Sequence, residues 1–320
     1  MSGHAAFLQG TGWDGASRIP MTSDAGDRRY WRLTRGDGAT AVLMEAPVAV
    51  SEAARRQFTA FRRIGAWLRA QGLSAPCEVK ADAGQGLMLL EDLGQTSLSH
   101  LLDQGAPDAR EAYLAAVDCL ADVAGAADPP ELPQPIAGGV AEMLTPLSDA
   151  IGGIADLQAG IEAALDAIPS PPVLSLRDIH GDNLMWLPAR RGPARIGLLD
   201  FQDAVLLPDG YDLASLFDDP RREVPAAWRA AGLTRYAAAR GQDPDDLARR
   251  VALLSVLRNL RILAIFHRLS AEAGRARYGA HIPRTRHLID RAAAHPALHR
   301  LAPSVAEVLR RTTGWGDVAA

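Results

Sequence analysis

The chain has 320 residues, 48% of them apolar and 22% charged, with a formal net charge of -4, the profile of a soluble globular protein large enough for one large or two medium domains. A negative net charge and only 5% aromatic residues argue against a nucleic-acid binder, and no apolar run reaches the ~18 residues that a membrane span requires. The first residues, Met1 to Gly12, lack a basic segment followed by an apolar one, and the two cysteines, Cys77 and Cys119, have no metal-ligand spacing, so a reducing cytoplasm is expected.

Charge is unevenly distributed. Residues 221–320 hold 18 Arg against 8 acidic residues, a pattern that fits an anion-binding surface and a solvated Arg-rich helical face equally well. Lys80 is the sole lysine.

In chain order, residues 27–34 and 40–45 read as strands joined by the turn Arg35-Gly36-Asp37-Gly38, a strong hairpin signal. A helix is expected from about Ser51 to Gln71, because Ala54, Phe58, Phe61, Ile64 and Leu68 form one apolar stripe and Gly72 suits the C-terminal cap. Two short strands then flank Ala83-Gly84-Gln85-Gly86, the second being Leu87 to Leu90. The pattern turns helical after Gly94, with one helix over Asp108 to Val123, and a Pro-rich loop covers 128–135. Strand signals return at 173–176, 184–187 and 195–199, and from Tyr211 the chain reads as mainly helical, including a helix from Pro244 to Leu269. The expectation is an α+β, bilobal arrangement: a small β-rich N-terminal lobe over residues 1–94, and a larger helical lobe over 95–320.

The segment Leu176-Arg177-Asp178-Ile179-His180-Gly181-Asp182-Asn183, followed by Leu198-Leu199-Asp200-Phe201, carries the chemistry. Asn183 and Asp200 offer two hard oxygen donors of the kind magnesium takes together with substrate phosphates. Asp178 is then the carboxylate left to accept a proton from an attacking hydroxyl. His180 is expected to brace its loop through hydrogen bonding, and Asp212 to brace a loop or start a helix. The turn Ser23-Asp24-Ala25-Gly26 is a candidate phosphate cover.

This segment resembles the catalytic loop and metal-binding Asp of the kinase superfamily, in which an Asp is the base and an Asn five residues on binds metal. Asp178-Ile179-His180 and Gly210-Tyr211-Asp212-Leu213-Ala214 resemble its aminoglycoside-phosphotransferase branch. Arg28-Arg29-Tyr30-Trp31-Arg32, Met44-Glu45-Ala46-Pro47, Leu90-Glu91-Asp92-Leu93-Gly94, Asp200-Phe201-Gln202-Asp203-Ala204 and Arg258-Asn259-Leu260-Arg261 are similar to the bacterial N-acetylmuramate/N-acetylglucosamine anomeric kinases of cell-wall recycling. The resemblance implies a protein-kinase-like fold and Mg²⁺-dependent transfer of phosphate from ATP to the anomeric hydroxyl of an amino sugar. Within it, Glu91, Asp92 and Leu93 would form the hinge whose backbone meets the adenine.

The chain departs from the kinase pattern at Met44, where the third strand should carry a phosphate-gripping Lys; the helix from Ser51 has no Glu placed to pair with one. An arginine from Arg28, Arg29 or Arg32 must then neutralise phosphate charge. Asp203, Arg258 and Arg261 are candidate substrate residues, since Arg250, Arg261 and Arg268 share one helical face with Arg258 nearby. Two alternatives stand beside this reading: a phosphotransferase for another hydroxylated acceptor such as an aminoglycoside or choline, and a catalytically silent nucleotide-binding protein.

Overall fold

The computed structural model describes residues 3–21, 28–132, 139–272 and 274–316; the turn at Ser23 to Gly26 therefore lies outside the described residues. The chain divides into two compact units. One comprises Met1–Ala115, Ala126–Pro133 and Asp182–Ala204, the other Ala116–Gly125, Gln134–Gly181 and Val205–Ala320. This division differs from a single cut at residue 94. Residues past 94 stay with the β-rich unit because their backbone bonds lie there: Trp186 N–H donates to the Thr96 carbonyl at 2.8 Å, and Leu198 N–H to the Ser74 carbonyl at 2.7 Å.

The β-rich unit begins with a short helix α1 (Gly3–Leu8) and continues through β1 (Ser17–Met21), β2 (Arg29–Thr34), β3 (Thr40–Glu45), α2 (Glu52–Ala70), β4 (Glu78–Asp82) and β5 (Leu87–Glu91). The strands form one antiparallel sheet in the order β1-β2-β3-β5-β4. The expected hairpin turn is present: Gly38 N–H bonds to the Arg35 carbonyl at 3.0 Å, and Asp37 accepts from Ala39 N–H. Alternation sorts the side chains of the sheet. Leu33, Ala41, Leu43, Leu87 and Leu89 pack with Phe7 and Leu8 of α1. Met44 and Met88 are register partners and both are essentially unexposed, so the position that lacks a Lys is an apolar core position. Lys80 sits on β4, where its ammonium donates to the Phe7 carbonyl.

Helix α2 starts at Ser51, whose hydroxyl accepts from Ala54 N–H at 3.1 Å. Its stripe of Phe58, Phe61, Ile64 and Leu68 is buried. After α3 (Leu98–Asp103), helix α4 (Ala109–Gly125) runs out of this unit at Ala115.

The second unit continues with α5 (Gly139–Ile151), α6 (Ala155–Asp166) and β6 (Pro172–Ser175). The hairpin β7 (Leu184–Trp186) and β8 (Ile196–Leu198) returns to the β-rich unit. The remaining elements, β9 (Val205–Pro208), α7 (Tyr211–Phe217), α8 (Ala226–Arg240), α9 (Pro244–Ser270), α10 (Ile282–Ala293) and α11 (Ala302–Arg311), belong to the helical unit, where β6 and β9 pair antiparallel. Helix α9 is its axis, with α5, α7, α8 and α10 packed along it. Asp243 caps α9 by accepting from Asp245 and Asp246 N–H, with Pro244 in the first turn. No helix among the described residues is long and apolar enough to cross a membrane.

Much of the arginine excess of the last hundred residues is consumed inside this unit. The buried Asp218 carboxylate accepts from Arg229, Arg291 and Ser255, Asp209 from Arg240, Tyr236 and Gln242, and Arg221 pairs with Asp219.

Candidate active site

The expected catalytic segment is shared between the units: Asp178 belongs to the helical one and Asn183 and Asp200 to the β-rich one. Each part is built by its own surroundings.

In the helical unit, the chain leaving β6 is fastened by Asp212 in the first turn of α7. One carboxylate oxygen accepts from the Ser175 hydroxyl at 2.7 Å and from Arg177 N–H at 3.2 Å; the other accepts from Leu176 N–H at 2.8 Å. Arg177 is held in the left-handed region at φ 71°, a strained state for a non-glycine residue that needs such fastening. Asp178 follows at once, with its N–H on the Leu176 carbonyl at 2.9 Å. About half of its side chain is exposed, 52%, whereas that of His180 is buried, with Nε2 3.9 Å from the Asp178 carboxylate. Asp212 is thus a loop brace, one of the two roles expected for it.

Burial drives the Asp212 carboxyl from 3.8 up to about 6, against the pull of its three donors and Arg258. The folded chain therefore keeps this proton over a range, roughly pH 4 to 6, in which the unfolded chain has lost it. Stability contributed by this group falls as pH rises through that window and is level above it. Urea denaturation at pH 4.5 and pH 7 is expected to show this decline in the wild type and its loss in Asp212→Asn; equal pH dependence in both proteins would exclude Asp212 as its source. The same variant has one acceptor oxygen instead of two, so a buried N–H at Leu176 or Arg177 goes unmatched, costing about 1–3 kcal/mol.

In the β-rich unit, the 3₁₀ turn Gly181–Asn183 leads into β7, and Leu199 N–H bonds to the Asn183 carbonyl at 2.9 Å. Asp200 follows β8 in the left-handed region at φ 56°. Phe201 fixes this corner: it is fully buried and stacks on Phe61 of α2, with centroids 4.8 Å apart. One Asp200 carboxylate oxygen accepts from Arg28 and from Gln202, each at 2.9 Å. Burial opposes the Arg28 charge, yet Tyr30, Asp200 and Asp203 outweigh it and hold its pKa above the ordinary arginine value. Asp203 accepts from Gln57 of α2 at 3.1 Å and from Gln202 at 3.3 Å.

The structure therefore gathers Arg28, Asp200, Gln202, Asp203 and Gln57 into one network. Gln57 and Gln202 were missed as site residues; Gln202 lay within a quoted motif, while Gln57 had no sequence signal, since its partner is 146 positions away. Arg32 is taken up by Asp92 through two bonds, at 2.7 and 3.2 Å, and by the Gly94 carbonyl at 3.0 Å. Arg29 is 70% exposed and meets Glu45. The Glu91 carboxylate accepts from Cys77 N–H and Arg190, and Leu93 is buried. The side chains of Glu91 and Asp92 are thus engaged in bonds within the β-rich unit. In the helical unit Arg258 is buried and donates to the Asp218 carbonyl and to Asn259, both at 3.3 Å.

A carboxylate and a carboxamide following β8 and preceding β7 are hard oxygen donors suited to magnesium, which completes its shell with waters and phosphate oxygens. Among the described residues no cluster of three or more His, Cys, Asp or Glu is placed to hold a metal.

Residues 18–254 match the phosphotransferase enzyme family. The chain is 35% identical to the N-acetylmuramate/N-acetylglucosamine kinase of Caulobacter vibrioides, the alignment covering 93% of each protein. It is 29% identical to the enzyme of the same name from Pseudomonas aeruginosa, over 92% of this chain and 89% of that one. Among solved structures it is similar to a choline/ethanolamine kinase family protein from Mesorhizobium loti, with a TM-score of 0.64 at 14% identity, covering 95% of this chain and 98% of that one. That fold, a β-rich N-terminal region with a mainly helical C-terminal part, is the expected one. The chain belongs to the phosphotransferase enzyme family, whose kinases place phosphate on a hydroxyl acceptor.

Proposed function

We propose that this protein is a kinase of the anomeric hydroxyl of N-acetylmuramate and N-acetylglucosamine, using ATP and Mg²⁺. What carries this reading is the near-full-length likeness to the Caulobacter kinase of that name; the fold alone is shared by kinases of several unrelated acceptors and does not choose among them.

In this reading the Asp178 carboxylate takes the proton of the anomeric hydroxyl as its oxygen attacks the γ-phosphorus in line. The bond from that phosphorus to the β,γ-bridging oxygen breaks, ADP leaves, and the product is the sugar 1-phosphate. Asp178 then returns its proton to water, to which its side chain is half open. Asn183 and Asp200 would hold the magnesium ion, which neutralises charge on the phosphates when bound. Arg28, already beside Asp200, takes the part that the absent Lys plays elsewhere, approaching the phosphates as a fixed guanidinium. The backbone of residues 91–93 receives the adenine. The fold and family fit a site inside the reducing cytoplasm, where ATP and recycled sugars meet.

The test is incubation of the purified protein with ATP, Mg²⁺ and each amino sugar, following ³¹P and anomeric proton signals. Formation of an α- or β-1-phosphate is expected. Turnover of choline or an aminoglycoside but not of either sugar would reassign the acceptor. Nucleotide binding with no turnover of any acceptor would support the silent reading instead.

A further inference from the structure

The corner that carries Asp200 is seated on one ridge of α2. Gln57, Phe61 and Gly65 stand four residues apart and so line a single row on the helix surface. Each meets a residue just past Asp200. Gln57 donates to both carboxylate oxygens of Asp203, at 3.1 and 3.3 Å. Phe61 stacks on Phe201 with the two rings 15° from parallel. At Gly65 a Cβ would lie 3.2 Å from the Phe201 ring, so the missing side chain lets that ring come close to the helix.

Gln202 sits between these two contacts and is 1% exposed. Its amide nitrogen donates to Asp200 Oδ1 at 2.9 Å and to Asp203 Oδ2 at 3.3 Å. Its oxygen is buried and accepts from no donor among the described residues. A buried amide oxygen without a donor is costly. Turning the amide over gives no relief, because the oxygen would then face two carboxylates that have no proton to offer. The orientation of Gln202 is therefore set by Asp200 and Asp203, against a local cost in stability. Arg28 donates to the same Asp200 Oδ1 at 2.9 Å. Oδ1 thus has two donors, while Oδ2 has no hydrogen bond among the described residues and 36% of the side chain is exposed.

We propose that Gln202 is a positioning residue for the metal site. It fixes Asp200 through Oδ1, so that Oδ2 is the oxygen left for a cation, and Gln57 steadies it through Asp203. This rests on the proposed function, which puts magnesium at Asp200. Both Asp203 oxygens are already occupied by the two carboxamides, so Asp203 acts on Asp200 through Gln202. Carboxylates that hold a metal are oriented by such outer partners, and losing one lowers metal affinity by about 10- to 100-fold.

The experiment compares wild type, Gln202→Met, Gln57→Met and Asp200→Ala as full chains. The affinity for Mn²⁺ alone is read from water proton relaxation, and the thermal midpoint from circular dichroism. In turnover, the Mg²⁺ concentration giving half-maximal rate is set beside the KM for each amino sugar. Met is close to Gln in length and removes the donor and the orphaned oxygen together. In Gln202→Met the Mn²⁺ affinity is expected to fall about 10- to 100-fold, with the thermal midpoint kept within about 4 °C. The Mg²⁺ requirement should rise in step, with each sugar KM unchanged within about twofold. Gln57→Met acts one residue further out, so a smaller loss in the same direction is expected. A residue that only packs the core would lower the midpoint and leave metal affinity alone. Mn²⁺ affinity unchanged within about twofold in Gln202→Met overturns the proposal; should that variant not fold, the same result in Gln57→Met overturns it. Mn²⁺ binding that persists at wild-type strength in Asp200→Ala takes the metal away from Asp200 and overturns it too. Because metal affinity is read without turnover, a wild type that phosphorylates neither sugar would overturn the proposed acceptor, while Mn²⁺ still decides the role of Gln202.

Discussion

Replacing Asp178 with Asn is expected to lower kcat by about 10²- to 10⁴-fold, the usual contribution of a positioned general base. The substitution keeps the shape of the side chain and removes its ability to take a proton. It should leave the fold intact, because the Asp178 side chain is 52% exposed and exposed substitutions rarely shift stability by more than about 0.5 kcal/mol. Nucleotide affinity, measured by calorimetry with Mg²⁺ present, should stay within about threefold, since a base that touches only the acceptor binds the ground-state nucleotide little. A large fall in kcat with unchanged affinity is the signature of a group used in the transition state. A fall below about tenfold would remove Asp178 from the role of base. A matching fall in nucleotide affinity would make it a structural or metal-binding carboxylate. The prediction also separates the enzyme from the silent reading, under which neither protein turns over.

How much of this was legible beforehand varied with how local the signal was. The β2-β3 hairpin and α2 were legible because their determinants are short-range: the turn Arg35-Gly36-Asp37-Gly38, and one apolar stripe with Ser51 and Gly72 at its ends. Strand β1 was not. All five of its residues except Met21 are exposed, so it shows no alternation, and Pro20 argues against a strand except at an edge, where β1 lies. Helix α1 is six residues long, too short for periodicity to register.

The candidate site shows the same divide. Asp178, Asn183 and Asp200 are named by motif within 23 positions of one another. What surrounds them is long-range: Asp212 on Ser175 to Arg177, and Gln57 on Asp203. Helical angle put Arg250, Arg258, Arg261 and Arg268 near one face, but angle cannot say which guanidinium finds a partner. That depends on where the Asp209 and Asp218 carbonyls lie after folding. The excess of arginine in residues 221–320 is thus structural for most of its members, Arg250 and Arg258 among them.

Asp200→Ala is expected to abolish the dependence of nucleotide binding on Mg²⁺. Calorimetric titration of ATP in magnesium and in chelator should give different affinities for the wild type and the same affinity for the variant; a preserved magnesium effect would remove Asp200 from the metal. The geometry allows a second variant to separate metal from phosphate. In the structure Arg28 supplies the positive charge that Asp200 accepts, at 2.9 Å, with only 17% of the Arg28 side chain exposed. Arg28→Gln removes that charge and leaves the carboxylate. Divalent metal, probed with Mn²⁺ alone by its paramagnetic effect on water relaxation, should then bind more tightly than in wild type, because it no longer competes with a guanidinium. ATP should bind about 10- to 100-fold more weakly, for want of a charged donor to its phosphates. The two effects have opposite signs, which a general loosening of the fold would not produce. If Arg28→Gln instead weakens both metal and ATP, Arg28 serves to orient Asp200, and the charge of the missing Lys at Met44 must be supplied from elsewhere.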